Sequence, residues 1–368
     1  MIEQPKPVPR LVNLQILRAV AATLVVWAHA IDVSLIPGNG KPVLASGYLE
    51  NFGAFGVDVF FVISGFIISA SAQKSGRTWL QFAEDRYIRV APIFYVLSLP
   101  WILRASAFPD VSWAPLIPTF FFWPVVDGKF VEPFLSVGWT LSFEALFYCV
   151  MTAALLFRKW IDRPVLAAVG FLLITICIRS VVDAPIFDFL GNPIILEFLF
   201  GIAVGWIFSR TGANERLAIV VTLLVVLALG YQLRYGFGAV SESPLIESGE
   251  LSLTRAVIWG LPAAGIVYVA LVRENSAKST GRVRGFLAFL GDASYSIYLV
   301  HLLVMVVVKA LQARGIVSGD VLIIVAIALS WLAGSLSFLF VEKPMIRMIR
   351  RLSRSRTEYK AAAPPSSI

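Results

Sequence analysis

Charged residues are scarce in this sequence. Asp, Glu, Lys and Arg together make up 15% of its 368 residues, whereas hydrophobic residues make up 58%. A soluble domain of this length carries charge on roughly a quarter of its residues. Too little polar surface is left to cover a water-soluble globule, so most of the surface must face lipid. The composition therefore excludes an ordinary soluble protein and predicts an integral membrane protein.

Cysteine and histidine are also rare, with two residues of each. Cys149 and Cys177 lie in apolar stretches, which predicts two small buried side chains and neither a disulfide nor a metal site. The sequence has no nucleophile elbow and no zinc-binding HExxH motif. The two histidines, His29 and His301, are therefore candidates for chemistry near neutral pH.

Apolar runs of about 20 residues, each long enough to cross a bilayer as a helix, recur along the chain. The segment 115–126 is apolar but short and contains two prolines, which predicts an interfacial or re-entrant piece. The fold class predicted is all-α, a polytopic integral membrane protein with about ten transmembrane helices. The predicted spans are 12–32, 53–72, 89–107, 138–157, 164–182, 190–208, 216–232, 254–272, 288–309 and 320–341.

The distribution of Lys and Arg gives an orientation for these spans. With the N-terminus inside, the inner segments hold 22 of them and the outer loops hold 8, while Arg18 lies within a span. This asymmetry follows the positive-inside rule and predicts that both termini are cytoplasmic. The net charge of +8 is thus explained by topology and indicates no nucleic-acid partner. Residues 1–344 are predicted to form the membrane domain, and residues 345–368 a basic, disordered cytoplasmic tail that contacts membrane lipids.

Ionisable side chains inside a bilayer are costly and usually functional. Arg18 and His29 lie eleven residues apart in the first span. At about 100° per residue they face the same way, about 16 Å apart along the helix axis. The predicted topology puts Arg18 towards the cytoplasm and His29 towards the outer side. A shared cavity is favoured over the alternative in which Arg18 snorkels inwards and His29 occupies the outer interface.

The outer half of the bundle is predicted to hold further ionisable groups besides His29. Glu144 lies at a similar depth and is the expected partner of His29. Histidine beside carboxylates is the usual equipment for general acid–base work on a hydroxyl. For Asp58 an interfacial position remains open, and for His301 a structural role. These outer groups are Asp58, Glu144, Glu197 and His301.

Two arginines mark the inner side. Arg86 and Arg89 are spaced i,i+3 at the start of the third span and project together. Paired guanidiniums suit phosphates, although positive-inside topology alone also accounts for them. A phosphate-bearing donor bound there could extend past Arg18 towards His29, over a distance that suits a pantetheine-like arm.

The ordered set of motifs resembles the acyltransferase-3 family of membrane acyltransferases. Within it the sequence is most similar to the ExoZ-type exopolysaccharide O-acetyltransferases. The resemblance extends from residue 13 to about residue 344. The motifs are LQILRAVAATLVVWAHA, with Arg18 and His29, then GVDVFFVISGFII, RYIRVAPIFY, VGWTLSFEALFY, FLGDASYSIYLVH and FVEKP.

The resemblance implies transfer of an acyl group, usually acetyl from acetyl-CoA, to a sugar hydroxyl of a surface glycan or its lipid-linked precursor. It implies that His29 is the catalytic histidine and Arg18 its paired basic residue. Arg86 and Arg89 match the family's RxxR element, which serves the acyl-CoA donor, and Glu144 matches an acidic motif position. It implies a bacterial inner-membrane location and is compatible with polysaccharide-biosynthesis proteins as partners. No permanently bound cofactor is expected.

Four residues are thus predicted to be catalytic, namely His29, Glu144, Asp58 and His301, and three to bind the donor, namely Arg18, Arg86 and Arg89. The expected reaction is deprotonation of a sugar hydroxyl by His29, with an acyl-histidine intermediate as a variant. Two other functions remain open. One is a transporter or flippase for a glycan lipid or an acyl donor, although the sequence shows no inverted repeat. The other is a non-catalytic scaffold.

Overall fold

The computed structural model describes residues 11–35, 42–74, 76–274 and 281–362, with side chains as far as Ser353. Helices account for nearly all of the regular structure. They are α1 (Val12–Ser34), α2 (Leu49–Phe52), α3 (Phe55–Ala72), α4 (Trp79–Ala105), α5 (Leu116–Phe121), α6 (Trp139–Leu156), α7 (Pro164–Arg179), α8 (Pro185–Leu190), α9 (Leu196–Thr211), α10 (Glu215–Tyr235), α11 (Ser243–Glu247), α12 (Ser252–Arg255), α13 (Leu261–Val272), α14 (Arg282–Asp292), α15 (Ser294–Ala313), α16 (Gly319–Ser337) and α17 (Lys343–Ala362).

Among the described residues, nine helical segments are long and apolar enough to cross a membrane, and they coincide with nine of the ten predicted spans. The remaining span, predicted at 164–182, is α7, an apolar helix of 16 residues. At 1.5 Å per residue α7 measures about 24 Å, somewhat less than a hydrocarbon core of about 30 Å. The predicted all-α polytopic membrane fold is confirmed.

The third span differs most from its predicted bounds. Helix α4 begins at Trp79, where Thr78 and Gln81 form a capping box, and it continues through Pro92 and Pro100. The two prolines do not end the helix, although each removes a backbone donor. Because α4 begins ten residues earlier than predicted, Arg86 and Arg89 lie within its first three turns.

The segment 115–126 forms no further span. It contains the short helix α5 and strand β1 (Val125–Val126), which pairs antiparallel with β2 (Lys129–Phe130). Asp127 and Gly128 connect the strands with positive φ values of 49° and 71°, as a two-residue hairpin turn requires. This hairpin lies just before α6 in the chain.

The tail differs from the expectation of disorder. Residues 345–362 belong to α17, which continues from α16 through a π-helical turn at Phe338–Glu342. The helix is anchored to α4, because Ser353 hydrogen-bonds to Glu84 and Arg350 lies 3.5 Å from Asp85. These contacts hold the first three turns of α17 against α4. Residues 363–368 lie outside the described residues.

Helix α3 is central, packing against α1, α6, α9 and α13. Helices α3 and α9 approach closely at Gly65, where a Cβ would lie 2.0 Å from the Phe198 carbonyl oxygen of α9. Gly201 of α9 meets the Val62 carbonyl oxygen at the same distance. A methyl group at either position would force the helices apart, which fixes how α3 presents its polar side chains.

The two ends of the bundle are named from the chain. The terminal face is the one at which α1 begins and to which α16 returns, and the distal face is the opposite one. At the terminal face, the backbone N–H groups of Val12 and Asn13 donate to Glu274 after α13, at 2.6 and 2.9 Å. Helix α1 therefore runs from the terminal face, past Arg18, to His29 near the distal face.

Candidate active site

A cavity of about 290 Å³ lies in the half of the bundle nearer the terminal face. We call it the arginine cavity, because four arginines from three helices line it together with two carboxylates. Four positive charges against two negative ones make it attractive to an anionic ligand. These residues are Arg18, Arg86, Arg89, Arg350, Asp85 and Glu144.

The spacing of Arg86 and Arg89 correctly predicted that they project together, since both line this cavity. They differ in their partners. Arg89 is paired with Glu342, a fully buried carboxylate that also accepts a hydrogen bond from Ser296 at 2.6 Å. The Nε of Arg86 is buried with no hydrogen-bond partner among the described residues. Arg86 forms no ion pair with a carboxylate among the described residues, whereas Arg89 does, so the positive charge of Arg86 is available to an anionic ligand.

A local distortion of the backbone places Glu342. It is the last residue of the π-helical turn at Phe338–Glu342, which widens the helix between α16 and α17. Such π-helical insertions occur frequently at functional sites. Glu342 lies in the FVEKP segment, which the sequence marks only as a family motif, so its place in the site was not predicted.

The pairing of Glu144 with His29, expected from their similar depth, is wrong. Glu144 lines the arginine cavity, where its Oε1 accepts hydrogen bonds from Ser64 at 2.9 Å and Tyr148 at 2.6 Å. Depth along a helix does not fix the direction in which a side chain points. Glu144 therefore contributes negative charge beside Arg18 and Arg86.

A second cavity, also of about 290 Å³, lies towards the distal face and is lined by His29. We call it the histidine cavity. Its lining is acidic and rich in polar groups, and besides His29 it has two aromatic side chains, Trp139 and Tyr298. The residues that matter below are His29, Asp32, Glu50, Glu132, Trp139 and Arg255.

The carboxylate nearest to His29 is on its own helix. The Nδ1 of His29 lies 3.4 Å from the Oδ2 of Asp32, one turn further along α1. The imidazole is partly exposed, with 37% of its side-chain surface accessible. Asp32 was missed by the sequence analysis, although an i,i+3 search from His29 would have found it.

His301 is placed against His29, as their shared predicted depth suggested. The centroids of the two rings are 5.1 Å apart, but His301 is fully buried and does not line the cavity. Its Nδ1 lies 2.6 Å from the carbonyl oxygen of Tyr298. Because a carbonyl only accepts, Nδ1 carries the proton and Nε2 is left with its lone pair. His301 thus packs against His29 without lining the cavity, and its predicted catalytic role stays a prediction.

Asp58, which was predicted to be catalytic, does not line the histidine cavity. Asp58 is fully buried, and both of its oxygens accept hydrogen bonds from Arg255, at 2.9 and 2.8 Å. Glu197 is fully buried and lies next to this pair. Bidentate Arg–carboxylate contacts of this kind hold helices together. Asp58 and Arg255 therefore form a structural bridge between α3 and α12.

The burial of Arg255 was not predicted from the distribution of charges in the sequence. It was counted as an outer-loop cation, yet only 1% of its surface is exposed. It immediately precedes a π-helical turn at Ala256–Gly260, and its guanidinium lies over the Trp259 ring at 5.0 Å. Nothing in the sequence around it distinguishes it from an interfacial arginine.

A carboxyl pair borders the histidine cavity outside the membrane spans. Glu132 lines the cavity and interacts with Glu247, which is 6% exposed. Burial, together with the nearby Glu132 carboxylate, raises the pKa of Glu247 to about 9. Burial likewise raises the pKa of Glu132. The pair therefore holds a proton at neutral pH and presents both a donor and an acceptor near the cavity.

The two cavities adjoin. Val57 of α3 and Tyr298 of α15 line both of them, whereas Thr140 lines only the arginine cavity and Val137 only the histidine cavity. Arg18 and His29, predicted to share one cavity, therefore lie in two cavities that meet at Tyr298. Asp32, Glu342, Arg350 and Tyr298 complete the set of neighbouring groups that the sequence analysis missed.

The two cysteines are outside this arrangement. Cys149 and Cys177 are free thiols on the exposed surface of the bundle, so the prediction that they are buried is wrong. Their apolar surroundings in the sequence belong to the lipid-facing sides of α6 and α7. No group of three or more metal-ligating side chains occurs within the part of the chain that the structure describes.

Comparison with known proteins identifies the family. The family model described as an acyltransferase domain, of the acyltransferase-3 type, matches residues 11–340. The exopolysaccharide production protein ExoZ of Rhizobium meliloti is 32% identical over 82% of this chain and 92% of its own length. Acyltransferase MdmB of Streptomyces mycarofaciens is 26% identical, over 94% of each chain.

A further relative is the peptidoglycan O-acetyltransferase OatA of Listeria monocytogenes. It is 26% identical to this chain, over 80% of this chain and 51% of its own length. No solved structure matches the chain significantly. The family match covers α1 to α16 and all the residues that line the two cavities except Arg350.

Proposed function

The chain belongs to the acyltransferase-3 family, and from that premise we propose that it transfers an acetyl group from acetyl-CoA to a sugar hydroxyl of an exopolysaccharide or its lipid-linked precursor. The similarity to ExoZ, an exopolysaccharide production protein, supports the acceptor class, and the similarity to OatA, an O-acetyltransferase, supports the acetyl ester. The family does not by itself name the donor. The donor is inferred from the charges of the two cavities.

The observation that carries the proposal is a pair of adjoining cavities of opposite charge. The arginine cavity contains Arg86 with a buried, unpartnered Nε, beside Arg18 and Arg350. Guanidiniums bind phosphate oxygens by directed hydrogen bonds. The phosphates of acyl-CoA would bind there, with the pantetheine arm directed towards Tyr298. The terminal face would then be cytoplasmic, as the charge distribution predicts for an inner-membrane protein.

The histidine cavity suits the acceptor. Its carboxylates Asp32, Glu50 and Glu132 accept hydrogen bonds, and its one arginine, Arg255, is already held by Asp58. Sugar hydroxyls donate readily to carboxylates, and Trp139 offers an apolar ring to the face of a sugar. A negatively charged acceptor would be repelled. We therefore expect an uncharged sugar residue in this cavity.

The chemistry follows from placing the hydroxyl beside His29. The hydroxyl oxygen attacks the carbonyl carbon of the thioester while His29 takes the hydroxyl proton. The carbon–sulfur bond then breaks, and coenzyme A leaves as a thiol after receiving that proton. Asp32, 3.4 Å from Nδ1, stabilises the imidazolium, and His301 supports the ring from behind. An acyl-histidine intermediate on His29 is the alternative route to the same products.

An assay on the purified protein tests the proposal. The wild-type protein in lipid nanodiscs is given radiolabelled acetyl-CoA and uncharged oligosaccharides from the host polysaccharide. His29→Ala is expected to lower ester formation by about 100-fold or more, since general base catalysis contributes roughly 10²–10⁴-fold. The matched control is Thr23→Val, which removes a polar group from α1 outside both cavities. Equal rates for wild type and His29→Ala would refute the assignment.

The acceptor is identified in cells. Proton NMR of surface polysaccharide from a strain lacking the gene, and from strains complemented with wild type or His29→Ala, reveals which ester signal depends on the protein. The proposal expects an acetyl signal that returns only with the wild-type gene. Polysaccharide that keeps full acetylation but reaches the surface in much smaller amounts in the deletion strain would instead favour the transporter alternative.

A further inference from the structure

Val57 and Tyr298 lie at the junction between the two cavities, and Tyr298 is the larger of the two and the one with a polar group. Tyr298 lines both cavities, and 7% of its surface is exposed. Its hydroxyl donates to the carbonyl oxygen of Val137 at 2.8 Å and lies 2.9 Å from the Oγ1 of Thr140. Val137 belongs to the histidine cavity and Thr140 to the arginine cavity. The hydroxyl is thus fixed to both sides of the partition.

Tyr298 is held between the two cavities by contacts with two neighbouring helices, α3 and α6. Val137 lies in the 3₁₀ turn at Ser136–Gly138 that leads directly into α6. Thr140 is in the first turn of α6 and also donates to the Val137 carbonyl, at 3.0 Å. Tyr298 packs edge-on against Phe60 of α3, with centroids 6.0 Å apart. A hydroxyl held by α6 and a ring held by α3 span the gap between the helices.

The position of Tyr298 between the two cavities affects the transfer reaction. This inference rests on the proposed function. A thioester whose phosphates lie among the arginines has to reach His29, and the direct route passes Tyr298. We infer that Tyr298 is the specificity-determining gate of the acyl group: its ring limits the length of the acyl chain that reaches His29, and its hydroxyl latch keeps water in the histidine cavity from the thioester.

Two effects of altering the gate follow. Loss of the ring leaves room for longer acyl chains, so Tyr298→Ala accepts butyryl-CoA relative to acetyl-CoA better than the wild type does. Loss of the latch alone lets water reach the thioester, so Tyr298→Phe shows more hydrolysis without an acceptor. In that side reaction water attacks the carbonyl carbon, the carbon–sulfur bond breaks, and acetate and free coenzyme A are formed.

The experiment measures kcat/KM with acetyl-CoA and butyryl-CoA, with and without oligosaccharide acceptor, by release of the coenzyme A thiol. For Tyr298→Ala, the butyryl-to-acetyl ratio is expected to rise by at least about tenfold, because each methylene that a pocket accommodates or excludes changes specificity by roughly 10- to 200-fold. An unchanged ratio in a monodisperse Tyr298→Ala protein would overturn the inference.

If the Tyr298→Ala protein fails to fold, the Tyr298→Phe variant still tests the inference. It retains the ring, and the Val137 carbonyl remains bonded to Thr140. We expect an unchanged acyl preference and at least about a threefold rise in acceptor-independent hydrolysis, because one hydrogen bond of the latch is lost. Hydrolysis equal to that of the wild type would contradict the latch.

A matched control is Tyr268→Phe. Tyr268 is a buried tyrosine whose hydroxyl lies 3.2 Å from the Oγ1 of Thr211, away from both cavities. It should leave both ratios unchanged. Failure of the gate is distinguishable from failure of the proposed function, because wild-type protein that transfers acetyl from acetyl-CoA supports the function whatever the variants show. Absence of any thioester turnover in the wild type would refute the donor assignment and the gate with it.

Discussion

The imidazole rings of His29 and His301 lie 5.1 Å apart, one lining the histidine cavity and the other fully buried. The proton on Nδ1 of His301 is committed to the Tyr298 carbonyl at 2.6 Å. This fixed contact holds the His301 ring in one orientation, and His29 packs on it. His29 can therefore contact the substrate, whereas His301 holds the His29 ring in position.

Replacing His301 by glutamine should lower kcat while leaving KM for acetyl-CoA nearly unchanged. His301 is remote from the arginine cavity, but a displacement of His29 by about 1 Å can cost about 100-fold in rate. We expect a decrease of about 10- to 100-fold in kcat. Steady-state kinetics measures the split, and a rise in KM with constant kcat would show that His301 acts on donor binding instead.

The two arginines of α4 should respond differently to substitution. Arg86 has an unpartnered Nε, so Arg86→Gln should raise KM for acetyl-CoA by about 10- to 100-fold, as expected for loss of a charged hydrogen bond worth about 1.5–3 kcal/mol. Arg89→Gln should mainly lower the unfolding temperature, because it leaves the buried Glu342 carboxylate without its cation. Kinetics and thermal unfolding of both variants check the contrast. Equal effects on KM and on unfolding temperature in the two variants would contradict it.

Asp58→Asn should destabilise the protein by about 3–5 kcal/mol, since one partner of a fully buried ion pair is removed and Arg255 keeps its charge. Unfolding in nanodiscs or detergent measures the change. The matched control is Asp188→Asn, in the partly exposed pair of Asp188 with Arg179 at 3.3 Å. That variant should change stability by less than about 1 kcal/mol. A stable Asp58→Asn protein without activity would restore the catalytic role that the sequence suggested.

Stability should fall as the pH rises from about 5 to about 9 in a way that depends on Glu247. Its folded-state pKa is about 9, whereas an unfolded glutamate ionises near pH 4.3. In this window the folded state keeps a proton that the unfolded state has lost, so rising pH favours unfolding. Glu247→Gln should flatten this dependence, measured as unfolding temperature against pH. An identical slope in wild type and variant would show that Glu247 is already ionised in the folded protein.

The fold was largely predictable because hydropathy and the charge distribution are properties of segments. Ten apolar runs gave the helices, and the i,i+3 spacing of Arg86 and Arg89 correctly predicted that both face one cavity. The partners of Glu144 and Asp58 were not predictable in the same way. The depth of a side chain in the membrane follows from its position along one helix. Its partners depend instead on how the neighbouring helices are rotated about their axes. Close contacts, such as that of Gly65 in α3 with α9, determine this rotation.

Residues at the junctions were missed for a related reason. Glu342 and Arg255 lie at π-helical turns, at Phe338–Glu342 and Ala256–Gly260, which change the direction of a side chain without a clear mark in the sequence. Tyr298 is one of two tyrosines in the apolar helix α15. Only the two cavities on either side of it distinguish it from the other.

The central claim is that the donor binds among the arginines while the reaction takes place at His29, in a separate cavity. Equilibrium binding of a non-hydrolysable acetyl-CoA analogue to wild type and His29→Ala, measured by titration calorimetry in nanodiscs alongside acetyl transfer, tests it most directly. The expected result is the same Kd within about twofold for both proteins, with transfer lost in His29→Ala, since His29 does not line the arginine cavity. A Kd raised in His29→Ala in proportion to its loss of transfer would contradict the division into two cavities.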